Sequence, residues 1–142
     1  MIQQTLMPIK LERMEQKLTA RSGLFLYAEF MKGFGVDRLI NEYLPKPESG
    51  RGYEALTFVK SLSMTLYGGG NCIEDMKEIR NDSAIRKACG LKIVPSSSAQ
   101  GDWLQRISKR GGIEGMERVN RAIARKVIRK DKRKGYTLIV DP

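Results

Sequence analysis

The steadiest rhythm of apolar residues in this chain runs through Met116, Val119, Ile123 and Val127, whose steps of three and four mark one face of a helix. That spacing predicts a long helix from Ile113 to about Lys132, entered through Gly111-Gly112. Upstream, Leu56, Val59, Leu62, Ser63 and Leu66 recur at helical intervals in the most apolar stretch, Tyr53 to Tyr67, and predict a central core helix closed by Gly68-Gly69-Gly70. Leu24, Leu26, Tyr27 and Phe30 mark an earlier helix that opens at Ser22-Gly23 and frays near Gly33 and Gly35. A further helix runs from about Val36 to Leu44 and halts at Pro45, because the residue before a proline disfavours helical backbone. Pro45 to Gly52, PKPESGRG, reads as a polar loop and hinge.

Shorter helices fill the middle. Asn71 is the expected cap of CIEDMKEIR, which carries Glu74 and Asp75 at the positive end of its dipole and Lys77 and Arg80 towards the negative end. Asp82 is positioned to cap the next helix, which turns Ala84, Ile85, Ala88 and Cys89 inward and stops at Gly90. Ser97-Ser98-Ala99-Gln100 has the spacing of a capping box, in which Ser97 accepts from the Gln100 backbone N–H and the Gln100 side chain reaches back. Trp103, Leu104 and Ile107 form the apolar face of that helix. Ser98, Asp102, Gln105 and Lys109 are left outward, with Arg106 beside them, a polar face suited to reading base edges. The connector from Gly90 to Ser96 exceeds the three or four residues of a strict helix-turn-helix, so the pair is expected to be a looser relative of that motif.

The two ends differ from the rest. Pro8 to Met14 alternates loosely, as a short edge strand would. Tyr136 to Pro142 is a β-branched apolar run without helical period, the pattern of a buried strand. The expected fold class is therefore mainly α: an N-terminal segment over 1–18, a multi-helix domain over 19–134, and over 135–142 the opening strand of a second domain that is cut short.

Composition narrows the chemistry. The chain has no histidine, which excludes a Ser-His-Asp triad and the usual Cys/His zinc site, and leaves Cys72 and Cys89 as small core thiols of a reducing compartment. No run of about 18 apolar residues and no secretory leader is evident, so no membrane contact is expected and the location is expected to be cytoplasmic. Net charge is +10, and its placement matters more than its size. Residues 1–102 carry 14 Lys and Arg against 12 Asp and Glu, whereas residues 103–134 carry 12 against three. Within that second segment Arg118, Arg121, Arg125, Arg129 and Lys132 repeat the spacing of the apolar stripe two positions later. Two positions are about 200° of helical turn, so the cationic row is expected opposite the core. Localised positive charge is the footprint of a polyanion, most often nucleic acid; a membrane surface or an acidic protein is the alternative.

With these landmarks in place the chain resembles the N-terminal third of a bacterial insertion-sequence DDE transposase, from about Thr19 to Asp141. The resemblance rests on the order and spacing of SGLFLYAEFMKGFGVDRLINEYLP, SGRGYEALTFVKSLSMTLYGGG, IEDMKEIRNDSAIRKACGL, PSSSAQGDWLQR and TLIVDP. It implies a helical DNA-binding region ahead of a ribonuclease-H-like catalytic domain, with double-stranded DNA as partner and a homo-oligomer left open. Arg118, Arg121, Arg125, Arg129 and Lys132 are the expected phosphate contacts, and Gln105, Arg106 and Lys109 the expected contacts to bases or backbone. Asp141 matches the first of three carboxylates that hold Mg²⁺ in such enzymes, ions that activate the attacking oxygen and steady the leaving one. One such ligand cannot assemble a two-metal site. These residues by themselves are therefore expected to bind no cofactor and to lack nuclease activity. A stand-alone DNA-binding regulator, or an inhibitory shortened transposase, shares the same charge pattern. An RNA-binding helical protein ranks below both, because no aromatic cluster adjoins the basic helix in the sequence.

Overall fold

A computed structural model describes residues 19–47, 52–132 and 135, and in it the chain forms seven α-helices and one 3-10 turn, with no strand among the described residues. The helices are α1 (Leu24–Phe34), α2 (Val36–Tyr43), α3 (Ala55–Tyr67), α4 (Met76–Asn81), α5 (Ser83–Ala88), α6 (Ser97–Ser108) and α7 (Gly112–Lys130); the 3-10 turn is Ile73–Asp75. The mainly helical class agrees with the apolar periodicity. The strands expected at 8–14 and 136–142 lie outside the described residues.

Local chemistry explains most of the boundaries. Gly35 closes α1 in the left-handed region at φ 63°, its N–H returned to the Lys32 carbonyl, and α2 begins at the very next residue. Leu44 turns extended in front of Pro45 and ends α2. Asp82 caps α5 as its type and position suggest, accepting from the Ile85 N–H at 2.9 Å. Two caps differ from expectation. Asp75, not Asn71, closes the entry to α4, because its carboxylate reaches back to the N–H groups of Asn71 and Cys72 at 2.8 and 3.2 Å. Ser96, not Ser97, caps α6 by accepting from the Ala99 N–H at 3.2 Å.

Burial is divided between two apolar clusters. The first gathers Met64, Met76, Ile79, Ile85, Cys89, Leu91 and Val94 around Leu24. The second gathers Met31, Val36, Leu39, Ile40, Leu44 and Ala55 around Val119 of α7, with Trp103 and Ile107 packed against it. Helix α3 supplies residues to both, and Tyr27 touches both while its ring stacks on Tyr67 at 4.3 Å. The buried face of α3 is Ala55, Phe58, Ser61, Met64 and Thr65, one position away from the expected one, and Leu66 is left exposed. Apolar residues surround α3 on several sides, so hydrophobicity alone does not select its inner face. Small polar residues complete that face: the Thr65 hydroxyl donates to the Ser61 carbonyl at 2.9 Å. In α1 the inward residues are Leu24 and Met31, whereas Leu26 is 78% exposed and Phe30 lies outward too. Ala88 of α5 is likewise exposed instead of buried, since the helix ends there and the chain turns at Gly90.

Helix α7 runs back along α2. Near its start Gly115 lies so close to α2 that a Cβ would meet the Tyr43 carbonyl oxygen at 2.6 Å, and further along Lys126 donates to the Phe34 carbonyl at the end of α1. Helix α5 packs on α4 and α1, while α6 packs on α3, on the 3-10 turn and on α7.

Candidate nucleic-acid interface

Helix α7 presents two kinds of cation. Arg118, Arg121, Arg125 and Arg129 are all exposed, as is Lys132 just past the helix end. Of these, Arg121 meets Glu117 at 3.3 Å across one helical turn, both side chains well solvated. A pair of that kind contributes only about 0.3–0.5 kcal/mol and does not hold the guanidinium inward. Among the described residues, Arg118, Arg125, Arg129 and Lys132 have no acidic partner. All five cations therefore stand in solvent as the spacing predicts, but the four arginines lie about 70–150° of helical turn from the buried edge Gly112, Gly115 and Val119, on the flank of α7 more than opposite the core.

Lys126 and Lys130 behave differently. Lys126 donates to the Phe34 carbonyl, where it meets the negative end of the α1 dipole, and the Lys130 ammonium lies 5.1 Å above the Phe34 ring. These two lysines fasten α7 to α1. They occupy an edge that Val127 was expected to share, and Val127 is 43% exposed instead. The cause lies at the start of the helix, where the contact edge is Gly112, Gly115 and Val119. Glycines carry no hydropathy signal, so the apolar stripe alone places the inner edge one residue too far round, at Met116. Met116 and Ile123 are in fact half-buried along its margin.

Helix α6 offers a second basic surface. Trp103 stacks on Phe58 of α3 at 5.0 Å with the rings 9° from parallel, which pins the inner side of α6 and turns Ser98, Asp102, Gln105, Arg106 and Lys109 outward. Gln100 does not reach back to the helix start. It is fully buried, and neither its amide oxygen nor its nitrogen has a hydrogen-bond partner among the described residues. Arg106 is steadied by its Nε donating to the Asp102 carbonyl at 3.3 Å, with the rest of the guanidinium exposed.

Gln105, Arg106 and Lys109 come together with residues that sequence reasoning did not single out. A concavity of about 610 Å³ separates them from Gly52, Tyr53 and Phe58, and Ala99 and Asp102 complete its walls. Gly52, Tyr53 and Arg106 also wall a smaller hollow of about 150 Å³ that reaches Pro45, Lys46 and Trp103. Tyr53 stands between the two, 42% exposed, its ring edge-on to Phe58 at 5.8 Å. The turn-rich composition of 45–52 signals a loop, but nothing in it signals that Gly52 and Tyr53 stand across from α6. An aromatic residue directly after Gly52 is the one hint.

Asp141 lies outside the described residues, and among those described no group of three or more His, Cys, Asp or Glu is placed to hold a metal ion. No helix among them is long and apolar enough to cross a membrane. Comparison with known protein families, with characterised proteins and with solved structures finds no match to this chain.

Proposed function

We propose that this chain is a DNA-binding helical region of the kind that opens a DDE transposase and recognises the ends of an insertion sequence. The observation that carries the proposal is the outer row of α7. Like charges at one-turn intervals repel and weaken a helix, and a phosphate backbone removes that cost. Arg118, Arg121, Arg125, Arg129 and Lys132 grip phosphates and set the position of the duplex, while Gln105, Arg106 and Lys109 on α6 contact bases or backbone. In this arrangement α6 is the reading helix, held by α3, the 3-10 turn and α7. Asp141 then belongs to a metal-dependent catalytic part, where further carboxylates are needed to hold Mg²⁺.

Titration with a duplex carrying the element's end, against a scrambled duplex at several salt concentrations, tests this. Each phosphate contact contributes about −0.9 to the slope of log affinity against log salt, so five contacts give a slope of about −4.5. Replacing the four arginines of α7 by glutamine lowers the magnitude of the slope by about 3–4. Absent binding, or binding that salt does not weaken, overturns the proposal.

A further inference from the structure

The concavity beside α6 combines two features that a duplex backbone does not use together. Its α6 wall is graded in charge: Asp102 stands at the end nearer the helix start, Arg106 one turn on, and Lys109 at the cap. Its opposite wall is an aromatic face, Tyr53, held by Phe58 and left open to solvent. Cations alone suffice for phosphate, and the bases of a duplex are stacked on one another, out of reach of a protein ring. An exposed aromatic ring among cations stacks most readily on an unpaired base, which offers its face without the cost of prising a duplex step apart.

We propose that this groove takes a single unpaired nucleotide of DNA, its base stacked on Tyr53 and its phosphate between Arg106 and Lys109. The carboxylate of Asp102 repels phosphate and so fixes the direction in which the strand lies, phosphate towards the C-terminal end of α6. The groove is open to solvent, and its volume of about 610 Å³ lies within the size range of ligand clefts, about 300–1,000 Å³. This assignment rests on the DNA-binding function proposed above and adds to it a preference for duplexes whose ends are frayed or tailed.

The test compares two probes, a blunt duplex and the same duplex with a short single-stranded tail, by fluorescence anisotropy. The unaltered chain binds the tailed probe more tightly. Tyr53→Ala removes that preference, a loss of about five- to 150-fold on the tailed probe alone, and Tyr53→Phe keeps it. Equal affinity of the unaltered chain for both probes overturns the groove while leaving the duplex grip of α7 in place. Binding to neither probe overturns both proposals. Loss of the preference in Tyr53→Phe as well as Tyr53→Ala, or its survival in Tyr53→Ala, also overturns the stacking role. Photocrosslinking from 5-iodouracil in the tail needs no variant and stands even where Tyr53→Ala does not fold. An adduct at Tyr53 supports the groove, and an adduct elsewhere overturns it. Displacement of the tail by hexaglutamate at equal concentration overturns the choice of a nucleotide in favour of an acidic peptide.

Discussion

Charged residues do opposite things in the α1–α5 half of the molecule and on the outer side of α7. In the first region they are woven into the fold. Arg21 meets Glu78 at 3.6 Å, Lys60 meets Asp37 at 3.5 Å, and Asp82 caps α5 while accepting from the Thr19 hydroxyl. On α7 the two lysines that face α1 are fastened to it, whereas among the described residues the outer arginines meet no acidic partner except Glu117. The arginine row should therefore be dispensable to the fold. Substitutions in the first region should cost stability, and substitutions along the outer row should cost binding only.

The sharpest contrast comes from Met64→Ala. Met64 is completely buried in the first cluster, with α3, α4 and α5 closing around it. Truncation should lower the free energy of unfolding by about 2–5 kcal/mol, measured by urea denaturation. A loss below about 1 kcal/mol would mean that the cluster is loosely packed and that the two regions differ less than proposed.

Gly115→Ala probes the boundary between the regions. Its added methyl meets the Tyr43 carbonyl oxygen, a backbone atom that cannot swing aside, so α7 must move away from α2. Overpacking of that kind costs about 1–3 kcal/mol. The same denaturation curves report it, and an unchanged midpoint would show that α7 does not dock on α2 through this edge.

Asp82→Ala removes the cap of α5 at a cost of about 1 kcal/mol near neutral pH. Desolvation pushes the Asp82 carboxyl up, yet the hydrogen bonds from the Ile85 N–H and the Thr19 hydroxyl bring it below its ordinary value. The Asp75 carboxyl is also lowered, by the N–H groups of Asn71 and Cys72. A carboxyl with a folded value below its unfolded value of about 3.9 stabilises fully above that pH and loses the contribution as pH falls through the folded value. Thermal melts from pH 6 downward should therefore show the Asp82→Ala difference shrinking below about pH 4. A difference that stays constant into acid would assign the effect to something other than the carboxylate.

Element order, the length of α7, the Asp82 cap and the outward faces of α6 and α7 were legible in the sequence, because each rests on residues near one another in the chain. Inner faces were less so. On α3 the core side includes Ser61 and Thr65, which hydropathy assigns to solvent, and on α7 it begins with two glycines that hydropathy ignores. Gln100 reads as a capping residue by spacing and is instead enclosed by the packing of α6. The joining of Tyr53 to Arg106 and Lys109 brings together residues some fifty positions apart, and no local pattern encodes that. The same holds for Lys126, whose partner Phe34 lies on another helix.

Arg125→Gln is the smallest stability effect and the most telling in sign. Arg125 is exposed, and its neighbours one turn away in either direction are Arg121 and Arg129. Glutamine has nearly the helix propensity of arginine, so the substitution changes little besides charge. It relieves two like-charge pairs, each worth about 0.2–0.5 kcal/mol, and α7 should become slightly more stable at low salt. Raising the salt should erase the gain, because exposed charges are screened within about 10 Å at 0.1 M. DNA affinity should move the other way, with the salt slope reduced by about 0.9. A variant that loses both stability and affinity would show that the guanidinium braces the helix, and the division between structural lysines and free arginines on α7 would no longer stand.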